Sequence, residues 1–178
     1  MGRVVDAAGA FGNLPAGVAD VVAQAIALRG TEPDRAEMLM WKAQAADPTS
    51  LEMYVGLAKF YLHAGRLKQS RIALDLGYGE ASRQGRISGD WRDLTAEELR
   101  LAGDVGRKAL LFMKWRAFIR LRQGHVEESW ALLDRLAELD PDDGVGAETI
   151  RALARACGPE EGEQAERLGP EAGLRQAS

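Results

Sequence analysis

Cysteine and histidine are scarce in this 178-residue chain, which has one cysteine, Cys157, and two histidines, His63 and His125. A single cysteine cannot form a disulfide within the chain, so nothing indicates an oxidising compartment. Three such residues are also too few to supply the four Cys/His ligands of a structural zinc site. We expect no metal, and we expect Cys157 to be buried in the last helix.

Long apolar runs are absent as well. Met1 to Pro15 lacks the basic start and apolar stretch of a secretory signal, and no segment approaches the roughly 20 apolar residues of a membrane span. The net charge of -4 gives the chain no overall attraction to phosphate backbones. We therefore expect a cytoplasmic protein that binds neither membrane nor nucleic acid.

Catalytic patterns are missing too. The sequence has no HExxH, no Walker-type glycines and no Ser/His/Asp set in a usable context, and Gly77-Tyr78-Gly79 has no strand before it. The acidic pairs Asp142-Asp143 and Glu160-Glu161 fit solvated charge in a turn and a tail. We expect no enzyme activity and no cofactor.

Helical periodicity dominates what remains, because no segment alternates apolar and polar residues as a half-buried strand does. One block, Thr95 to Glu98, has the Thr-x-x-Glu form of a capping box and predicts the start of a short helix. Apolar stripes bounded by glycines and Asp-Pro pairs predict further helices over about 18–28, 33–47, 51–64, 67–77, 109–123, 126–139 and 145–157.

The same boundaries predict the domain organisation. We expect a flexible N-terminus over 1–16 and a helical domain over 17–157. An insertion is expected within that domain at about 82–107, where the chain is polar and rich in glycine. The segment 158–178, rich in Gly, Glu, Gln and Pro, is expected to be a disordered C-terminal tail.

An internal repeat is visible in the spacing of small residues. Ala58 and Ser70 are twelve residues apart, and so are Ala117 and Ser129. Two helices that cross closely need a small residue on each at the crossing, so both pairs predict a helix crossing. Asp-Pro pairs at 47–48 and 140–141 each close a helix.

These residues resemble the 34-residue tetratricopeptide repeat (TPR). The central repeat matches at Tyr54, Leu57, Ala58, Tyr61, Gly65, Ser70 and Leu74, and the second helix of a preceding repeat matches at Ala36, Met40, Ala43 and Pro48. The last repeat matches at Ala117, Gly124, Ser129, Leu133, Leu136 and Pro141. Arg116 and Arg120 stand where the family has Leu and Tyr, which leaves the register of helix 109–123 open by a residue or two.

The resemblance implies a fold and a function. The fold is an all-α solenoid of antiparallel helix pairs, about three repeats long, with a C-terminal capping helix. The function is that of a scaffold or adaptor whose concave groove binds a protein or peptide, here one with acidic residues. The groove contacts that the resemblance implies are Glu52, Val55, Lys59, Leu62, Lys114, Phe118, Leu121 and Arg122. The subgroup that grips a chaperone's terminal carboxylate is disfavoured, because these positions carry no Asn.

A narrower resemblance involves residues 117–124 and 139–146. They look like a group of small bacterial TPR proteins encoded among nitrogen-fixation genes, which implies a helper in nitrogenase assembly or regulation. A secretion-type TPR chaperone that holds a substrate protein and self-associates is the alternative.

Several other residues have two interpretations. Arg116, Arg120 and Gln123 form either a docking site for an acidic partner or a solvated face. Trp91 either pins the insertion onto the repeats or meets the partner. We expect His63 and His125 to cap helix ends, and we expect Trp41, Trp115 and Trp130 to pack in the core or between repeats.

Overall fold

The structure, a computed structural model of the chain, describes residues 14–156. The predictions for residues 1–13, for Cys157 and for the tail lie outside this range. The described residues form eight α-helices and no strand, which confirms the all-α prediction. The helices are α1 (Ala16–Leu28), α2 (Pro33–Ala46), α3 (Leu51–His63), α4 (Leu67–Gly85), α5 (Ala96–Ala102), α6 (Asp104–Arg122), α7 (Val126–Leu139) and α8 (Glu148–Ala156).

The helices pack as neighbouring pairs along the chain. α1 packs on α2, α3 on α4, and α6 on α7, while α4 also packs on α6 and so joins the last two pairs. α8 packs on α6 and α7 at one end of the stack. Because each pair covers the apolar side of its neighbour, one continuous core runs from Val18 in α1 to Ala154 in α8.

Local signals in the sequence set the helix boundaries. Ser50 accepts a hydrogen bond from the Met53 amide, and Thr95 and Glu98 form the predicted capping box. The helix-ending glycines Gly65 and Gly124 have φ of 71° and 80°, a conformation that favours glycine.

The two predicted helix crossings have the same geometry. Ser70 Oγ donates to the Ala58 carbonyl at 2.8 Å, and Ser129 Oγ donates to the Ala117 carbonyl at 2.9 Å. Both serines are buried, so each hydroxyl has its partner on the facing helix. The second bond pairs the two residues whose spacing predicted the crossing and so places Ala117 of α6 at that crossing.

Three helix boundaries differ from the prediction. α4 continues to Gly85 instead of ending near Gly77, α6 begins at Asp104 instead of Ala109, and α8 begins at Glu148 instead of Val145. The extension of α4 is stabilised by packing, because Tyr78 and Ala81 are buried. Residues 82–107 therefore contain the end of α4, a loop at 86–95, α5 and the first turn of α6.

The loop at 86–95 is held by three buried apolar side chains, those of Ile87, Trp91 and Leu94. Tyr78 of α4 donates its hydroxyl to the Ser88 carbonyl at 3.1 Å, and Arg135 of α7 donates to the Leu94 carbonyl at 2.5 Å. Trp91 thus pins the insertion onto the helices, which is the first of its two interpretations.

Candidate functional site

The predicted groove residues lie on α3 and α6, which are placed side by side because both pack on α4. Gly77 of α4 permits this arrangement, since a Cβ there would lie 2.8 Å from Tyr54 Cβ of α3 and 2.4 Å from Phe112 Cε1 of α6. We call the surface that the two helices share the α3–α6 face. It comprises Glu52, Val55, Lys59, Leu62, Lys114, Trp115, Phe118, Leu121 and Arg122.

The middle of the α3–α6 face is an apolar dimple. Its rim includes the predicted residues Val55, Lys59 and Leu62, together with Trp115 across from them on α6. Its volume of about 10 Å³ holds at most one water molecule, so it is not a small-molecule pocket. The surface suits contact with another protein better than enclosure of a ligand.

Two aromatic rings lie next to each other on α6, and each has a cation near it. Trp115 and Phe118 pack edge to face with centroids 5.9 Å apart. Lys114 Nζ lies 5.8 Å from the Trp115 ring, and the Arg122 guanidinium lies 5.8 Å from the Phe118 ring. Trp115, Phe118 and Arg122 are spaced three and four residues apart, so they share one side of the helix. That spacing was the signal that could have added Trp115 to the predicted site.

Glu52 joins the two helices at the other end of the face. Its carboxylate lies 2.8 Å from Lys108 Nζ of α6, and both side chains are about one third exposed. Burial raises the pKa of Glu52, but the hydrogen bonds from Lys108, from its own backbone amide and from Ser50, together with the charge of Lys108, leave it below its usual value. Glu52 therefore holds α3 against α6.

Lys114 is engaged by the chain's own backbone. Its ammonium donates to the Val145 carbonyl, at 2.6 Å, in the loop between α7 and α8. The carboxylates of Asp140 and Asp143 hold this loop by accepting from the amides of Val145 and Ala147 at 2.9 and 2.5 Å. The loop thus borders the α3–α6 face beside a cleft of about 390 Å³, which is lined by Glu52, Asp104, Arg107, Lys108, Leu111, Gly144 and Val145.

The remaining predicted residues differ in accessibility. Leu121 is buried, Leu62 and Phe118 are half-buried, and Arg122 is exposed. The structure therefore brings Val55, Lys59 and Leu62 together around the dimple. Phe118 and Arg122 continue the face along α6, Glu52 pairs with Lys108, and Lys114 donates to the Val145 carbonyl.

Arg116 and Arg120 fit neither interpretation that the sequence allowed. Arg116 Nη1 lies 3.0 Å from Asp75 Oδ1 of α4, although the angle does not make a hydrogen bond. Arg120 pairs with Glu128 of α7, and its hydrogen bond holds the pKa of that carboxyl below its usual value. Both arginines join helices, which explains why cations replace the apolar residues of the repeat pattern.

The histidines and tryptophans mostly have structural contacts. His63 Nδ1 lies 2.7 Å from the Lys59 carbonyl and caps the end of α3, whereas the His125 ring makes no such contact among the described residues. Trp41 donates to the Tyr61 hydroxyl at 2.8 Å, and the Arg151 guanidinium lies 5.4 Å from the Trp130 ring. Two tryptophans therefore join adjacent helices, as predicted.

The charge of α3 and α6 is opposite to that of the whole chain. The two helices contain seven Lys and Arg residues against two acids, a net charge of +5 in a chain of net charge -4.

Within residues 14–156 no set of His, Cys, Asp and Glu side chains is arranged to bind a metal. None of the described helices is long and apolar enough to cross a membrane.

These features define an all-α protein of neighbouring helix pairs with a cationic, partly aromatic surface on α3 and α6. The chain is 30% identical over 122 residues to an uncharacterized 19.8 kDa protein in the nifW 5′ region of Azotobacter chroococcum mcd 1. The match covers 65% of this chain and 67% of that relative, and the chain belongs to the same family. No family model matches the chain, and no solved structure matches it. The TPR resemblance therefore stays a prediction.

Proposed function

We propose that this protein is a helical-repeat adaptor that binds a segment of another protein on the α3–α6 face. The observation that carries the proposal is the charge of that surface, where Lys59, Lys114 and Arg122 outnumber Glu52 and give a net charge of +2 in an acidic chain. Half-buried Leu62, Trp115 and Phe118 lie between Lys59 and Arg122, and they offer the apolar contacts that supply most of the affinity at interfaces. Cations at the edge orient an acidic partner.

The relative supports a nitrogen-fixation setting for this adaptor. Its gene lies in the nifW 5′ region, and a partner encoded in such a region is the simplest source of the segment. We propose a helper in nitrogenase assembly or regulation. The Ser–Ala crossing and the glycine turn each occur in two helix pairs of this chain, and this recurrence supports assignment of the chain to the TPR class.

A charge-reversal pair tests the adaptor. We expect Lys59→Glu combined with Arg122→Glu to weaken binding of a purified nif-region partner at least about tenfold, because both cations lie on the face. Lys42→Glu combined with Lys68→Glu makes the same change in net charge at exposed positions on α2 and α4, and should leave the affinity within about twofold. Circular dichroism verifies the fold of both variants, and titration calorimetry measures binding. Equal affinity of the two variants would show that another surface binds the partner.

One observation favours the chaperone alternative. Ile72 and Leu76 of α4 are 42% and 48% exposed, and apolar side chains at such positions can support self-association. A secretion-type chaperone would sediment as a dimer or larger species at micromolar concentration. A monomer at every concentration that still binds a folded partner counts against this alternative.

A further inference from the structure

The part of the chain that follows α8 has a net negative charge. Residues 157–178 contain five Glu and two Arg, a net charge of -3, and lie outside the described range. We call residues 158–178 the acidic segment. We propose that the acidic segment binds the α3–α6 face of its own chain and competes there with the protein partner.

The position of α8 places the start of this segment near the cations of α6. Ala147 and Glu148 line a cavity together with Leu136 and Asp140 at the end of α7. Arg151 of α8 lies against the Trp130 ring at 5.4 Å and pairs with Asp134 at 2.9 Å, nearer the middle of α7, so α8 runs toward the start of α7. α6 ends at Arg122, just before α7 begins. The chain therefore leaves α8 at the end of the molecule that carries Arg122.

The length of the segment is sufficient to reach the face. α8 packs directly on α6, and packed helices have axes roughly 8–10 Å apart. An extended chain spans up to about 3.5 Å per residue, so Glu160 reaches roughly 14 Å from Ala156 and Glu171 roughly 50 Å. Arg122 is on α6 itself, and Lys59 is on α3 beside it, roughly two helix spacings from α8, so both are within reach of the segment.

The charges of the segment and the face are complementary. The α3–α6 face carries Lys59, Lys114 and Arg122 against Glu52, a net charge of +2, whereas the segment has -3, so the contact is attractive at low ionic strength. A tethered segment has a local concentration in the millimolar range, and even a weak attraction therefore populates the contact. A partner would have to displace the segment, which makes binding depend on salt and on the acidity of the partner.

The contact of the acidic segment with the α3–α6 face is tested on the full chain without any partner. The chain is compared with a five-Gln variant in which Glu160, Glu161, Glu163, Glu166 and Glu171 are replaced by Gln. We expect the backbone amide NMR signals of Lys59, Leu62, Phe118 and Arg122 to differ between the chain and this variant in about 0.02 M NaCl, and to converge in about 0.5 M NaCl because salt screens the contact. The control variant Asp93→Asn/Glu97→Gln changes exposed acids in the insertion and should leave these four signals in place.

Two results would overturn the proposal. One is coincidence of the four signals in the chain and the five-Gln variant at low salt. The other is a difference that fades on tenfold dilution, since that places the segment on a second copy of the chain. The competition rests on the proposed function, and it predicts severalfold tighter partner binding by the five-Gln variant. If the partner does not bind, the adaptor proposal fails, but the NMR experiment still tests the contact between the acidic segment and the face because it uses no partner. The two proposals can therefore fail independently.

Discussion

At the residue scale, Gly77 and Gly79 have opposite surroundings although they are two positions apart on α4. A Cβ at position 77 would lie 2.4 Å from Phe112 Cε1 and 2.8 Å from Tyr54 Cβ, whereas a Cβ at 79 would have no atom within 4 Å. The first glycine is required by the close approach of three helices. The second only weakens the helix, because glycine is a poor helix former.

We expect Gly77→Ala to lower the free energy of unfolding by about 1–3 kcal/mol through overpacking. Gly79→Ala should raise it by up to about 1 kcal/mol, since the exposed site accepts a methyl group and alanine favours the helix. Urea unfolding followed by circular dichroism measures both. Stabilisation by both substitutions would mean that α4 does not approach α3 and α6 as described.

The pKa of Glu37 leads to a second prediction, which concerns how the stability of the protein depends on pH. Its carboxylate accepts from Arg66 at 2.5 Å and from the Tyr61 hydroxyl at 2.7 Å, which attaches α2 to α3 and the turn after it. The hydrogen bond from Arg66 holds the pKa of Glu37 below 4.5, despite partial burial. Burial and the Glu37 carboxylate together raise the pKa of Tyr61 to about 12, so its hydroxyl remains a donor.

Because the pKa of Glu37 is lower in the folded state, its contribution to stability is fully present above pH 4.5 and is lost as the pH falls through the folded value. We expect Glu37→Gln to cost about 1 kcal/mol at pH 7, after allowance for its partial exposure. The cost should shrink below pH 4.5 and disappear in stronger acid. A cost that is independent of pH, measured by urea unfolding from pH 7 to pH 3, would contradict the assignment.

At the scale of the helices, α3 and α7 could be predicted from sequence because their apolar stripes and the breaks on either side of them agree, and α3 also has the Ser50 cap. The end of α4 could not, since Gly79 to Gln84 resembles a linker. The helix continues there because Tyr78 and Ala81 join a core that distant residues complete. The first turn of α6 was missed for a similar reason, because buried Gly106 resembles a break but lies against the backbone of Leu99.

The candidate site was predictable to a similar degree. Val55, Lys59 and Leu62 recur at the spacing of one helix side, and the structure places them around one dimple. The engagement of Lys114 by Val145, and of Arg116 by Asp75, depends on residues 31 and 41 positions away in sequence. Such pairings come from helix packing, and periodicity within one helix does not contain them.

The two helix crossings predict that removing the serine hydroxyl from either one costs the same stability. Ser70→Ala and Ser129→Ala each remove one buried hydrogen bond from a hydroxyl to a helix carbonyl. We expect each to cost about 1 kcal/mol, and the two costs to agree within about 0.5 kcal/mol, because the contacts are equivalent. Ser82→Ala is a control outside the repeat, since its hydroxyl bonds the Ile87 carbonyl in the loop. Unequal costs at 70 and 129 would argue against a common repeat.

At the scale of the whole molecule, the stack has two different ends. α1 packs chiefly on α2 at one end, and α8 covers α6 and α7 at the other. In a stack of helix pairs, each pair stabilises only its neighbours, so a substitution that destabilises one end should lower the local stability of the nearest helices only. Arg151 attaches α8 to α7, beside the buried side chains of Ile150 and Ala154. It donates to the Leu133 carbonyl at 2.6 Å and to Asp134 at 2.9 Å.

We expect Arg151→Ala to raise amide hydrogen exchange in α7 and α8 at least about tenfold, because α8 then loses its hold on α7 and exposes part of the core. Exchange in α1 and α2 should stay within about twofold. Arg155→Ala is the matched control, since Arg155 is exposed and, within residues 14–156, pairs only with Glu148 of its own helix. Hydrogen exchange read by mass spectrometry resolves the two ends. If protection in α1 and α2 falls as much as in α7 and α8, the chain unfolds as one cooperative unit, and the description of the stack as pairs stabilised by their neighbours is wrong.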